Sequence, residues 1–490
     1  QVGASLAAEL QKDIFRKVNS LTFEAYASVG TSSFLTRQTQ DVDIFRDVAT
    51  SMAYFVVNIP VFFIGGGVLA FLADWTLALI MLAAIPVILL LVSVISRRVG
   101  PLWELTDKMF DKQNAIVRER LAGIRVIRAF DKENFEHDRV SRATNVMSDA
   151  IVKANIMSGL LNPCCLFLIN AVTVAIVAVG ALKMTAQGVL SAGDVVASMQ
   201  YTALMANGVL NISWLLVWFP ELRVSLRRIA EIFSLESAEI GQNGKKRRGR
   251  LEVRGLTFSY GGAPALEGVD FSLDEGEIVG IIGGTGAGKT TLVKLLLGFY
   301  ENYEGELFLD GVSYRSADKA DLRASIAVAL QKSMIFEGTA ASNIKMGNAA
   351  ASDEEMRRAA QIAQIDDFFS AQKDGYDHRL SQMGTNISGG QKQRVNIART
   401  ILKDASVYIF DDSFSALDFL TESRLRRALN GYLAGRSQIV ITQRISTAMH
   451  CDRIYVLDQG KLVGTGTHGQ LLSSCPVYRE IYDSQLRGGL

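Results

Sequence analysis

Charge is missing from four long stretches of this 490-residue chain. Residues 48–73, 75–96, 154–182 and 195–220 contain no Asp, Glu, Lys or Arg. Each run is longer than the roughly 18 residues that mark a membrane-spanning helix, and four of them together argue against buried helices of a soluble domain. Excess charge of one sign is missing too: 51 basic and 50 acidic residues leave a net +1. No bulk field favours nucleic acid as a partner. Cysteine is scarce, with Cys164 and Cys165 adjacent inside a charge-free run and Cys451 and Cys475 far apart in a polar half. Metal-ligand spacing is absent, and reduced cytosolic thiols are the default reading. A signal peptide is also absent ahead of the first polar helix, and position 1 is Gln. The natural beginning is therefore expected upstream.

What is present falls into two architectures in series, because 490 residues exceed one core. Residues 1–47 and 97–153 are mixed-charge and helix-prone, and the second stretch is crowded with Lys and Arg. The short connections hold only Asp74 and, after the third run, Lys183 and Asp194. The positive-inside rule then places 1–47, 97–153 and 221–490 in the cytoplasm of a multi-pass plasma (inner) membrane protein. "SAEIGQNGKKRRGR" reads as a solvated linker, with contact to anionic lipid as its alternative. From Leu251 the pattern changes. "EIVGIIG", "SIAVAL", "SVYIFD" and "SQIVIT" are near-continuous apolar strands, as in a sheet covered on both faces. The predicted fold class is an α-helical membrane domain over 1–233, a linker over 234–250, and an α/β P-loop ATPase domain over 251–490.

"IVGIIGGTGAGKTTLVKLLLGF" carries the chemistry. Gly283, then Gly284, Thr285, Gly286 and Ala287, lead into Gly288, Lys289, Thr290 and Thr291, between a strand and a helix. This G-x-x-x-x-G-K-[ST] loop lets backbone N–H groups turn inward around phosphate oxygens at a helix N-terminus. Lys289 is expected to reach the β- and γ-phosphates of ATP, and the Thr290 hydroxyl to ligate Mg²⁺. Asp411, closing a later apolar strand, is the natural second partner of that ion.

"NISGGQKQRVNIARTIL", residues 386–402, contains Ser388, Gly389, Gly390 and Gln391. These four resemble the signature motif of ATP-binding-cassette proteins, and the remaining cassette motifs follow in the family's order. The resemblance implies a helical subdomain around the signature, with Tyr260 in "LTFSYGG" stacking on adenine. It also makes Gln331 a Mg²⁺-touching loop glutamine, and Asp418 in "SALD" part of a loop crossing a dimer interface. "GTSSFLTRQTQDVDIFRDV" and "ERLAGIRVIRAFDKENF" resemble the two cytoplasmic loops that carry short coupling helices in exporters of this family. Such exporters have six spans per half, against four here; absence of the first two from this sequence is the simplest account.

Three positions depart from the family pattern. The residue after the metal aspartate is usually Glu, the general base; here it is Asp412. One methylene fewer withdraws the carboxylate by roughly 1–1.5 Å, while general-base chemistry needs hydrogen-bond reach. Gln443 stands where the family has a histidine that contacts the γ-phosphate, and an amide carries no positive charge. Gln382 replaces an acidic residue usually found before the signature; that change is less interpretable. The signature is intact and, in this family, serves the opposite nucleotide. The expectation is therefore a heterodimer with a second half-transporter, whose catalytic Glu and His do the hydrolysis while this chain mainly holds ATP. Charge-free spans containing Asn58, Asn162, Asn170, Gln200, Asn207 and Asn211, with Tyr54, Phe62, Phe63 and Trp214, suit a small apolar or amphipathic substrate. An ATP-gated channel, a regulatory subunit and a slow homodimeric exporter stand as alternatives. The four spans exclude a soluble cassette protein.

Overall fold

The structure, a computed structural model, describes residues 2–187, 191–238 and 244–486. Residues 239–243 of the linker expected over 234–250 lie outside the described residues. Two compact units emerge. One comprises Gln1–Asn19 with Gly30–Leu235, and the other Ser20–Val29 with Glu236–Leu490.

The first unit is helical. Among the described residues, three helical stretches are long and apolar enough to cross a membrane: Thr31–Ala73, Trp75–Ala122 and Glu133–Thr185. The remaining charge-free run, 195–220, lies in the helix Ala192–Ser234. Its side chains at 209, 210, 212–217 and 220, Trp214 included, lie outside the described residues. Asp74 separates the first two stretches. Its extended backbone stops one helix, and its carboxylate caps the next by accepting from Thr76 N at 2.8 Å and Leu77 N at 3.0 Å. The other oxygen pairs with Lys183 at 2.8 Å. Burial raises the Asp74 pKa, but the bonds to Lys183, Thr76 and Leu77 outweigh it and hold the carboxyl at about 2. Val56, Val61, Ile64 and Leu72 are all exposed, as expected where lipid is the solvent. The stretch 30–48 begins the long helix Thr31–Ala73 rather than forming a short docking element. The short helix packed with the second unit is Phe23–Val29, just upstream.

The second unit is α/β. The strands are β1 (Leu251–Ser259), β2 (Pro264–Leu273), β3 (Ile278–Ile282), β4 (Glu304–Leu309), β5 (Val312–Ser313) and β6 (Ile326–Ala329). They continue with β7 (Gly338–Thr339), β8 (Arg379–Leu380), β9 (Val407–Asp411), β10 (Ser437–Thr442), β11 (Arg453–Asp458) and β12 (Lys461–Gly466). An antiparallel sheet has the order β2-β1-β4-β5, and the main sheet the order β12-β11-β3-β10-β9-β6. The four apolar runs read as covered strands are β3, β6, β9 and β10. They lie side by side and parallel in the main sheet, from β3 to β6 at one edge. Every residue of β9 and β10 is buried, which is why neither alternates polar with apolar. One core joins the two sheets through Leu256, Leu266, Leu292 and Leu457. A second, around Phe369, Ile397, Ile401 and Phe410, anchors the helical segment that carries Ser388.

Candidate nucleotide site

Four motifs far apart in sequence arrive at one edge because four strands are neighbours. Thr442 of β10 lies opposite Ile282 of β3, Ile441 opposite Asp411 of β9, and Phe410 opposite Ala329 of β6. Their carboxyl ends therefore deliver the loop 283–288, Gln443, Asp411–Asp412 and Gln331 in that spatial order. In open parallel sheets, ligands bind beyond these carboxyl ends.

The loop glycines divide by purpose. A Cβ on Gly283 would sit 2.1 Å from Leu457 O, and one on Gly288 2.7 Å from Ala265 O. Gly288 also has φ 101°, in the left-handed region, where it caps the helix Lys289–Leu296. Gly284 and Gly286 face open space within 4 Å, with φ 83° at Gly286, so the inner wall of the turn is bare backbone. Thr285 and Thr290 are exposed, while Ala287 and Thr291 are buried. Lys289 is only 8% exposed. Its ammonium donates to Gly283 O at 2.7 Å and Gly284 O at 2.6 Å. Burial lowers its pKa, opposed by the charges of Asp412 and Asp411.

Asp411 is 3% exposed, and its Oδ2 is buried without a hydrogen-bond partner. Burial first, then the neighbouring Asp412, push its carboxyl up to about 6 against the pull of Lys289. An uncompensated buried carboxylate is costly, and a hard divalent cation is the species that relieves it. The position fits Mg²⁺. Among the described residues no group of three or more His, Cys, Asp or Glu could hold a metal, so an ion at Asp411 would draw its other ligands from hydroxyl, amide, phosphate and water. That is the usual habit of Mg²⁺.

Asp412 adopts φ 46°, a left-handed conformation that Asp tolerates better than most residues. Its N–H donates to Ile441 O at 2.8 Å. Gln331 Nε2 lies 3.5 Å from Asp412 Oδ2, the outer limit of a hydrogen bond. The Gln443 carbonyl accepts from Gln485 Nε2 at 2.6 Å, and Gln485 Oε1 accepts from Ile445 N at 2.9 Å. Gln485, in the helix Pro476–Leu486, thus braces the loop after β10. No motif in the sequence points to it.

Tyr260 follows β1 with its ring 53% exposed. Its hydroxyl donates to Thr291 Oγ1 at 3.3 Å, and Lys294 Nζ sits 5.4 Å from the ring centroid. Thr291 therefore ties this ring to the first turn after the phosphate loop.

The signature has its own support. Ser388 and Gln391 form a reciprocal cap on the helix Gly389–Leu402, with Ser388 N donating to Gln391 Oε1 at 2.7 Å and Gln391 N to Ser388 Oγ at 3.3 Å. A Cβ on Gly390 would meet Ala416 O at 3.1 Å. Gln393 donates to Ser415 Oγ at 3.2 Å and accepts from Ala416 N at 3.0 Å. Arg444, next to Gln443, donates to Ser415 O at 2.6 Å and to the buried Glu422 at 3.0 Å. Sequence reading missed Gln393, Arg444 and Glu422, whose significance lies in long-range bonds. Asp418 caps the helix Phe419–Tyr432 by accepting from Thr421 N at 2.9 Å, which lowers its pKa.

Comparison with known proteins addresses the family and the fold. The family model described as ABC transporter transmembrane region matches residues 1–209, and that described as ABC transporter matches residues 266–415. An ABC transporter ATP-binding protein of Mycobacterium tuberculosis is 32% identical over 495 residues, covering 99% of this chain and 84% of that protein. Another from Bacillus subtilis, YfiB, is 32% identical over 488 residues, covering 99% and 85%. The solved structure of a bacterial Atm1-family ABC exporter with ATP bound matches with a TM-score of 0.85 at 26% identity, covering 99% of this chain and 86% of that one.

Proposed function

This chain belongs to the ABC transporter family, an exporter subunit with a transmembrane domain fused to an ATP-binding cassette; from that premise we propose that it is the ATP-holding half of a heterodimeric exporter. The carrying observation is the contrast at one sheet edge: a complete phosphate loop with Lys289 and Asp411, beside Asp412 and Gln443 at the base and switch positions. ATP sits against the loop 283–288, Lys289 and Thr290, with Tyr260 as the platform for its base. Thr290, Gln331 and Asp411 would hold Mg²⁺, which neutralises phosphate charge when bound. Lys289 gives up its bonds to Gly283 and Gly284 for phosphate oxygens. Asp412 is too short to draw a proton efficiently from water, and Gln443 adds no positive charge. Hydrolysis at this site is therefore slow.

Ser388–Gln391 and the loop ending at Asp418 serve the partner's nucleotide across a cassette dimer. The partner supplies the Glu and His that this chain lacks. The substrate class is apolar or amphipathic, supported by spans without ionisable side chains.

ATPase turnover of the purified pair tests the assignment. Neutralising the partner's general-base Glu should abolish turnover, while Asp412→Asn should spare most of it; the reverse outcome assigns the roles the other way round. Full turnover by this chain alone would favour the homodimer. ATP-dependent uphill accumulation in vesicles is expected of a pump, and passive flux of a channel. Photolabelling by a hydrophobic probe should reach the 195–220 helix; a probe that avoids it counts against the substrate class.

A further inference from the structure

A continuous line of aromatic rings ends on Tyr260. At its far end is Phe23, the first residue of the helix Phe23–Val29. The Phe23 ring stacks on Phe299 at 4.8 Å, 14° from parallel, and meets Tyr300 edge-on at 5.5 Å. Tyr300 in turn meets Tyr260 edge-on, with centroids 5.5 Å apart and planes at 84°. Phe258 closes the group at 4.9 Å from Tyr260 and 5.1 Å from Tyr300. Tyr300 is 8% exposed, between Phe23 at 37% and Tyr260 at 53%. The middle ring is locked and the terminal one is open to a ligand.

The segment holding Phe23 is unusual in the chain. Ser20–Val29 packs with the second unit, although the residues before and after it belong to the first. Asn302 Nδ2 donates to Glu24 Oε1 at 3.1 Å beside the aromatic group. At the other end, Thr22 N donates to Glu236 O at 3.2 Å and Ala238 N to Ser20 O at 2.7 Å.

We infer that Tyr300 is a positioning residue that couples a base on Tyr260 to the docking of helix Phe23–Val29. The inference rests on Tyr260 being the base platform. Edge-to-face contacts depend on ring orientation, so a base that fixes Tyr260 also fixes the edge presented to Tyr300, and through it Phe23. Close packing leaves a buried ring little room to absorb the change. Linkage is reciprocal: whatever factor ATP adds to docking, docking adds to ATP affinity. The base is required, because stacking acts on the ring itself, whereas phosphate contacts reach Tyr260 only through the long hydroxyl bond to Thr291.

Amide hydrogen exchange across residues 23–29 of the assembled full-length transporter tests this. Saturating ATP should slow exchange about fivefold, the lower end of ordinary coupling, whereas saturating inorganic tripolyphosphate should not. Tyr300→Leu should erase the ATP effect while ATP still binds, and Tyr300→Phe should keep it, because the rings and not the hydroxyl carry the contact. Equal slowing by tripolyphosphate, or undiminished slowing in Tyr300→Leu, overturns the coupling. Should that variant fail to assemble, Phe23→Leu carries the same expectation. ATP affinity of Tyr260→Leu separates the two readings. A loss of affinity beside undiminished slowing in Tyr300→Leu rejects the coupling alone, and unchanged affinity rejects the base platform and the coupling together.

Discussion

The phosphate corner and the hydrolytic corner stand at the ends of adjacent strands and are built in different ways. The phosphate corner is almost entirely backbone: bare turns at Gly284 and Gly286, and a helix start behind a left-handed Gly288. Its one essential side chain, Lys289, is held by carbonyls of its own loop. The hydrolytic corner depends on reach. The Asp412 carboxylate meets Gln331 at the limit of a hydrogen bond, and the Gln443 loop is braced by Gln485 from the helix Pro476–Leu486. On the proposed reading, binding here is a property of chain geometry, and hydrolysis a property of two side chains. Evolution can change the second without disturbing the first.

Breaking the phosphate corner should have the largest effect. Lys289→Ala is expected to weaken ATP binding at this site by about 100-fold, the scale of a lost charge-assisted phosphate contact. Nucleotide binding to the pair with the partner's site disabled measures it. Repairing the hydrolytic corner comes next. Asp412→Glu with Gln443→His should raise single-site turnover by about 10- to 100-fold, the lower range for a positioned base. The φ of 46° at position 412 tempers the gain from the longer side chain. Rapid-quench turnover with the partner's base neutralised would read it.

Asp411 gives the site a pH response. With the Asp411 carboxyl pushed up to about 6, proton and Mg²⁺ compete for it, so Mg²⁺-dependent ATP binding should strengthen as pH rises through 6 and level off above. The limit is about tenfold per pH unit for a single proton. Without the metal the sign reverses for stability. The raised pKa favours the folded state at low pH, and that contribution fades as pH climbs from the ordinary carboxylate range through about 6. Asp411→Asn should flatten both dependences, as Mg²⁺ titrations and thermal unfolding at several pH values would show. The smallest effect is expected at the brace. Gln485→Ala should change turnover of the assembled pair by about two- to threefold, the scale of one neutral hydrogen bond.

Much of the site was legible because its motifs are short and contiguous. The run from Gly283 to Thr290, set between an apolar strand and a helix, specifies a phosphate turn, and the apolar runs ending at Asp411 and Thr442 announce covered strands. Ser388–Gln391 stand out by their resemblance to the family's signature. Less was legible where the meaning lies in a distant partner. Gln393, Arg444, Glu422 and Gln485 look like ordinary polar residues until the fold places Ser415, Gln443 and Ile445 against them. The stretch 30–48 attracted notice as a docking loop, while the element that packs with the cassette is Phe23–Val29. Seven residues with no periodic signal of their own cannot reveal which unit they will pack with.

The sequence by itself determined the two architectures, the charge-free spans, the phosphate loop and the substitutions at Asp412 and Gln443. All are read from residue type over a few neighbouring positions, where local chemistry is decisive. Only the tertiary structure decided that β10 lies between β3 and β9, which sets Gln443 between the loop and Asp411. It alone also buried Asp411 Oδ2 without a hydrogen-bond partner and aligned Phe23, Tyr300 and Tyr260. Strand order and ring contact arise from packing between segments up to hundreds of residues apart, and no local pattern encodes which of them will meet.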